Sequence, residues 1–185
     1  MLHHNKYAYF KNGFISILNS DGSEKKLKWI TALNAPKGMA IFKGKLYVAD
    51  IDQLVVIDID KGTVVEKYDA PDAVFLNDVT ACMNGMIFVS DTRTAKIHVL
   101  NENKFTVWTE GTPLETPNGL MAEKGKLLVG DKNIYEFDIK TKEVVKKTKN
   151  IINGSQYSQI LKMSCVNTSR SESPDFDYQL REWRD

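Results

Sequence analysis

The chain has 185 residues, 42% of them hydrophobic and 26% charged, which is the composition of an ordinary folded domain able to bury a core. Lysine plus arginine (25) nearly balances aspartate plus glutamate (24), and no basic stripe or RNA-binding signature appears, so a nucleic-acid partner is not expected. No apolar run approaches the roughly 20 residues that span a bilayer, and a membrane is not expected either.

The chain starts with MLHHNKYAYFKNG, where Asn5, Lys6 and Lys11 break up what would otherwise be the apolar core of a secretory signal. The expectation is a cytoplasmic protein as written, and a periplasmic or secreted one if the N-terminus is truncated. Residues 13–30 read as two strands, GFISIL and KKLKWI, joined by the turn formers Asn19 to Ser23. Four short strands follow over residues 36–68, namely GMAI, LYVA, LVVIDI and TVVEKY, separated by Lys43-Gly44-Lys45, Asp50-Ile51-Asp52 and Asp60-Lys61-Gly62. Residues 77–108 repeat that plan with DVTA, MIFV, KIHVL and FTVW, and residues 117–147 repeat it with GLMA, LLV, IYEFDI and EVVKK. These runs are β-branched or aromatic and bounded by turn residues, and helical periodicity is absent from them.

Two landmarks fix the period. Gly44, Gly85 and Gly125 are 41 and 40 residues apart, and so are Asp50, Asp91 and Asp131. A repeat of about 40 residues made of short strands is the signature of a β-propeller blade. The fold expected is therefore all-β, with four-stranded antiparallel propeller blades. The partial propeller spans 7–148, with a half blade at 13–30 and blades at 36–68, 77–108 and 117–147. The half blade matches the outer two strands of the later copies, since Ile17 precedes Ile57 by 40 residues. After about residue 150 the register fails, so 149–185 is expected to be irregular. Ser164 to Pro174 is polar, and a short helix is expected near 175–184 with Asp175 as its N-cap.

The residues that could carry chemistry are few. Cys82 and Cys165 form neither a disulfide framework nor a Cys-x-x-Cys pair, and Cys82 reads as a small residue on a strand. His98 alternates with Ile97 and Val99 and reads as a surface or inter-blade residue rather than a base, while His3 and His4 sit at the terminus. Asp50, Asp91 and Asp131 are strand-end carboxylates, better suited to capping turns than to catalysis. Trp29 and Trp108 read as packing between blades. Asn77 and Asn118 each stand just before the innermost strand of a blade, where an Asn side chain ordinarily hydrogen-bonds a local turn.

Leu76 to Val79 (LNDV) followed by Gly85 to Asp91 (GMIFVSD), and Pro117 to Leu120 (PNGL) followed by Gly125 to Asp131 (GKLLVGD), carry a resemblance. On these motifs residues 36–148 resemble the senescence-marker-protein, gluconolactonase and luciferin-regenerating-enzyme family of six-bladed propellers, although NHL-type repeats share the Gly and Asp landmarks. Relative to such a ring this chain is incomplete. The resemblance implies one divalent metal, calcium above all, at the mouth of the channel, with Asn77 and Asn118 in the places of two metal-binding asparagines. It implies a metal-dependent lactonase or gluconolactonase-like hydrolase acting on a lactone or sugar-acid substrate, with no catalytic residue assignable. The family's early Glu has no counterpart, and Gly154-Ser155-Gln156 stands where a loop carrying its later Asp is expected. The ligand set implied is thus short of charge, and the hydrolase would be inactive on this account. The alternative is a non-catalytic, NHL-like interaction or ligand-binding propeller. Three accounts of the open ring remain: a fragment or degraded relative without activity, a homodimer in which the open faces close on each other, or a binding module that presents its loops to a peptide or protein.

Overall fold

The computed structural model describes residues 11–111 and 113–146, and these contain fourteen strands and no helix. Strands β1 (Gly13–Leu18) and β2 (Glu24–Leu33) form a two-stranded sheet. The first full blade is β3 (Pro36–Phe42), β4 (Lys45–Asp50), β5 (Gln53–Asp58) and β6 (Thr63–Asp69). The second is β7 (Leu76–Ala81), β8 (Ile87–Asp91), β9 (Lys96–Asn101) and β10 (Lys104–Thr109), and the third is β11 (Leu120–Glu123), β12 (Lys126–Gly130), β13 (Ile134–Asp138) and β14 (Val144–Lys146). Each blade is an antiparallel meander in sequence order, which confirms the all-β propeller architecture. Residues 1–10 and 147–185, including the expected irregular segment and short helix, His3, His4 and Cys165, lie outside the described residues.

The glycine landmark marks tight hairpins. Two residues join β3 to β4, Lys43 (φ 47°) and Gly44 (φ 72°), and two join β11 to β12, Lys124 (φ 48°) and Gly125 (φ 78°). A two-residue hairpin of this kind needs positive φ at both central positions, because only that turn matches the right-handed twist of its strands. Cys82 differs from its expected place on a strand. It lies just past β7, in the turn to β8, where its N–H donates to Met86 O (2.8 Å) and its carbonyl accepts from the Gly85 N–H (2.9 Å).

The core is divided among three seams between sheets, because successive side chains on a strand point to opposite faces. Ile15, Ile30 and Leu33 of the two-stranded sheet meet Leu46, Val48, Val55 and Ile57 of the first blade. Ala49 and Leu54 meet Leu76, Val79, Ile87 and Val89 of the second blade. Phe88, Ile97, Val99 and Trp108 meet Leu120, Leu127, Val129, Tyr135 and Phe137 of the third. Trp108 is the centre of this last seam, edge-on to Phe88 (5.1 Å between ring centroids) and to Phe137 (5.7 Å), and Trp29 packs partly buried on the first seam. Both tryptophans therefore sit between blades. The outer strand β6 is exposed along most of its length and carries Glu66 and Lys67, charges that discourage edge-to-edge pairing with another sheet.

Candidate functional site

The three repeated aspartates all do the same structural work. Asp50 accepts the N–H groups of Asn34 (2.9 Å) and Ala35 (2.7 Å); Asp91 accepts those of Val74 (2.8 Å), Phe75 (3.1 Å), Arg93 (3.0 Å) and Thr94 (3.2 Å). Asp131 accepts the N–H groups of Glu115 (2.6 Å), Thr116 (3.1 Å) and Lys132 (2.6 Å) and the Thr116 hydroxyl (3.0 Å). Each carboxylate is buried and ties the connection entering its blade to the end of that blade's second strand. Burial raises the Asp50 carboxyl above the usual carboxylate range, against the pull of the Asn34 and Ala35 N–H groups. These carboxylates are pins, and their oxygens are spent on the backbone.

Next to the pins, polar side chains lace the second blade to the third. Asp78 accepts the Leu120 N–H (2.9 Å) and Thr80 accepts the Ala122 N–H (3.1 Å), so the innermost strands β7 and β11 are bonded through side chains rather than through a shared ladder. The Ser90 hydroxyl accepts the Asp78 N–H (3.0 Å) and donates to the carbonyl of Asn118 (2.7 Å). On the opposite side Asp78 lies hard against β3: a Cβ added at Gly38 would stand 2.2 Å from Asp78 Oδ1 and 2.5 Å from its Cα. Glycine at 38 is what lets the first and second blades approach here.

Asn77 belongs to this network. Its Nδ2 donates to Thr92 Oγ1 (2.9 Å), and that hydroxyl donates its own proton to the Pro117 carbonyl (2.7 Å). A hydroxyl has one proton to give, so Thr92 must accept from Asn77, and this fixes the amide with Nδ2 inward and Oδ1 free of internal hydrogen bonds. Asn118 is held by its backbone, its N–H donating to Gly130 O (2.9 Å), which leaves the side-chain amide outside the network. The structure thus brings the two asparagines to one place, linked through Ser90, Thr92 and the Pro117-Asn118 backbone.

Three further residues, Lys37, Phe75 and Arg93, stand at this place. Lys37 is the first-blade counterpart of Asn77, 40 residues earlier, and its Nζ lies 4.9 Å from the centre of the Phe75 ring. The Arg93 guanidinium lies over the same ring at 5.2 Å; it is exposed and makes no ion pair among the described residues. Aligning PKG at Pro36, LND at Leu76 and PNG at Pro117 would have shown Lys37 in the asparagine register. Nothing local to Phe75 or Arg93 marks them, because their pairing depends on how the connection before β7 folds against the β8–β9 turn. Among the described residues, no three His, Cys, Asp or Glu side chains gather where they could hold a metal ion. Calcium takes about six to eight oxygens, carboxylates prominent among them, whereas this place supplies two neutral amides with cations beside them.

No protein-family model matches the chain, and no curated protein matches it. Solved structures do. Virginiamycin B lyase from Staphylococcus aureus is similar at 17% identity and a TM-score of 0.53, with 64% of this chain and 42% of that one covered. A streptogramin B lyase structure is similar at 16% identity and a TM-score of 0.55, with the same coverage. The computationally designed Ika4 protein is similar at 15% identity and a TM-score of 0.53, with 63% of this chain and 74% of that one covered. What is shared is a fold. This chain spans less than half the length of the two lyases, as a partial propeller would.

Proposed function

We propose that this chain is a non-catalytic, ligand-binding propeller segment, and that its ligand is an oxygen-rich anion of the sugar-acid class held beside Asn77. The observation that carries this reading is Arg93, an exposed guanidinium without an ion pair among the described residues, held over Phe75 in the loop whose Thr92 orients Asn77. A guanidinium presents paired donors that match a carboxylate, the Asn77 Oδ1 accepts from a ligand hydroxyl, and the Phe75 ring offers an apolar wall. Lys37 adds positive charge. Asp91 and Asp131 are occupied by backbone N–H groups, which suits pins better than bases.

Calorimetric titration with gluconate tests the reading. Saturable binding is expected, weakened about tenfold or more by Arg93→Ala, since a charge-assisted hydrogen bond contributes about 1.5–3 kcal/mol. Equal affinity in the variant would overturn it.

The free Oδ1 of Asn77, with the unengaged amide of Asn118, favours a second reading, the metal-dependent lactonase. A bound calcium would supply a Lewis acid to polarise a lactone carbonyl. On that reading its carboxylate ligands come from outside the described residues, and Lys37 and Arg93 oppose it by their charge.

A further inference from the structure

The seam between the first and second blades is largely apolar, and His98 is buried in it. His98, on β9, stands opposite Val89 of β8 and Val107 of β10, on the face that packs against the first blade. The residues in its place on the other blades are Val55, opposite Val48, and Tyr135, opposite Val129. His98 is 0% exposed, and neither Nδ1 nor Nε2 has a hydrogen-bond partner. Its ring lies 5.5 Å from that of Phe105, which in turn stands 6.4 Å from the ring of Tyr68 on β6. A neutral imidazole has one donor and one acceptor, and leaving both unmet in a core costs stability that a valine would not.

The charged and titratable groups around it offer no counter-ion within hydrogen-bond reach. Asp91, at the end of β8, is engaged by four backbone N–H groups. Asp72, in the connection before β7, is exposed, and Lys96, at the start of β9, repels a second cation and pairs with Glu110 (3.2 Å). Tyr68 stays a neutral phenol, its pKa pushed up to about 12 chiefly by burial, and its hydroxyl is bonded to Glu66.

We propose that His98 is an acid-release latch: its protonation puts an unpaired cation into the seam between the first and second blades and loosens that seam. Burial, the largest effect, pushes the imidazole below its ordinary value of 6.5, and the attraction of Asp91 and Asp72 only partly offsets it. The sign follows from that direction. Below about pH 6.5 the unfolded chain takes up a proton that the folded chain refuses, so stability is full above that pH and is lost as the pH falls. If the folded state takes up no proton, the folding constant drops about 25-fold between pH 7 and pH 5 from this one group.

The test is urea unfolding of the full chain at pH 7 and pH 5, with His98→Val and His98→Tyr, the residues of the sister blades, compared with wild type. The expected result is a wild-type loss greater than that of either variant, by up to about 25-fold, with amide exchange at low pH rising first in β9 and β6. The same pH dependence in wild type and variants would overturn the proposal. Should neither variant fold, an NMR titration of the wild-type imidazole decides: a midpoint below 6.5 supports the latch, and one at or above 6.5 ends it.

Discussion

Each repeated aspartate holds several backbone N–H groups at once, so its removal leaves buried donors without acceptors. Asp91→Ala should destabilise the chain by at least about 3 kcal/mol in urea unfolding, because four N–H groups lose one carboxylate. Asp50→Asn should cost less than Asp91→Asn, since fewer N–H groups depend on Asp50 and burial already opposes its charge. Glycines separate by what surrounds them. Gly38→Ala drives a methyl group into the backbone of Asp78 and should cost about 3 kcal/mol, whereas Gly44→Ala meets open space and should cost about 1 kcal/mol for its positive φ alone. Asp138 behaves differently from the buried pins. The N–H of Thr141 and the Lys126 ammonium (2.9 Å) hold its carboxyl at about 2. Its contribution is complete above about pH 3.8 and fades as the pH falls toward 2; an NMR titration should show that low midpoint, and Lys126→Met should raise it.

Among the elements, the seam between the second and third blades rests on a single aromatic cluster. Trp108→Ala should cost about 3–5 kcal/mol in urea unfolding, since it empties the space between Phe88 and Phe137. A cost below about 1 kcal/mol would mean that this seam is held by the polar lacing of Asp78, Thr80 and Ser90 instead. The strands and their turns were legible in the sequence because both landmarks have local causes: Gly44 and Gly125 serve two-residue hairpins, and the aspartates sit at a fixed register from the N–H groups they hold. The site was legible only in part. Asn77 and Asn118 stand out by position in the repeat, but the orientation of the Asn77 amide depends on Thr92 and Pro117, which lie 15 and 40 residues away along the chain. Likewise the burial of His98 follows from the first blade closing over β9, and its strand alternation alone left open whether it faced solvent or a blade.

For the molecule as a whole, a 40-residue period was enough to establish the propeller, because each copy repeats the same strands, turns and pins. Function did not follow from the period, since a propeller scaffold carries many chemistries and the residues that decide among them are those that break the repeat. Lys37 in the register of the asparagines and Arg93 over Phe75 are two such breaks, and both favour an anion over a cation. The most direct test is hydrolysis of a gluconolactone by the full chain with and without millimolar calcium. Turnover no faster than the uncatalysed background in both conditions is what a non-catalytic anion-binding segment predicts. Calcium-dependent turnover that disappears in Asn118→Ala would contradict it and establish the metal-dependent hydrolase in its place.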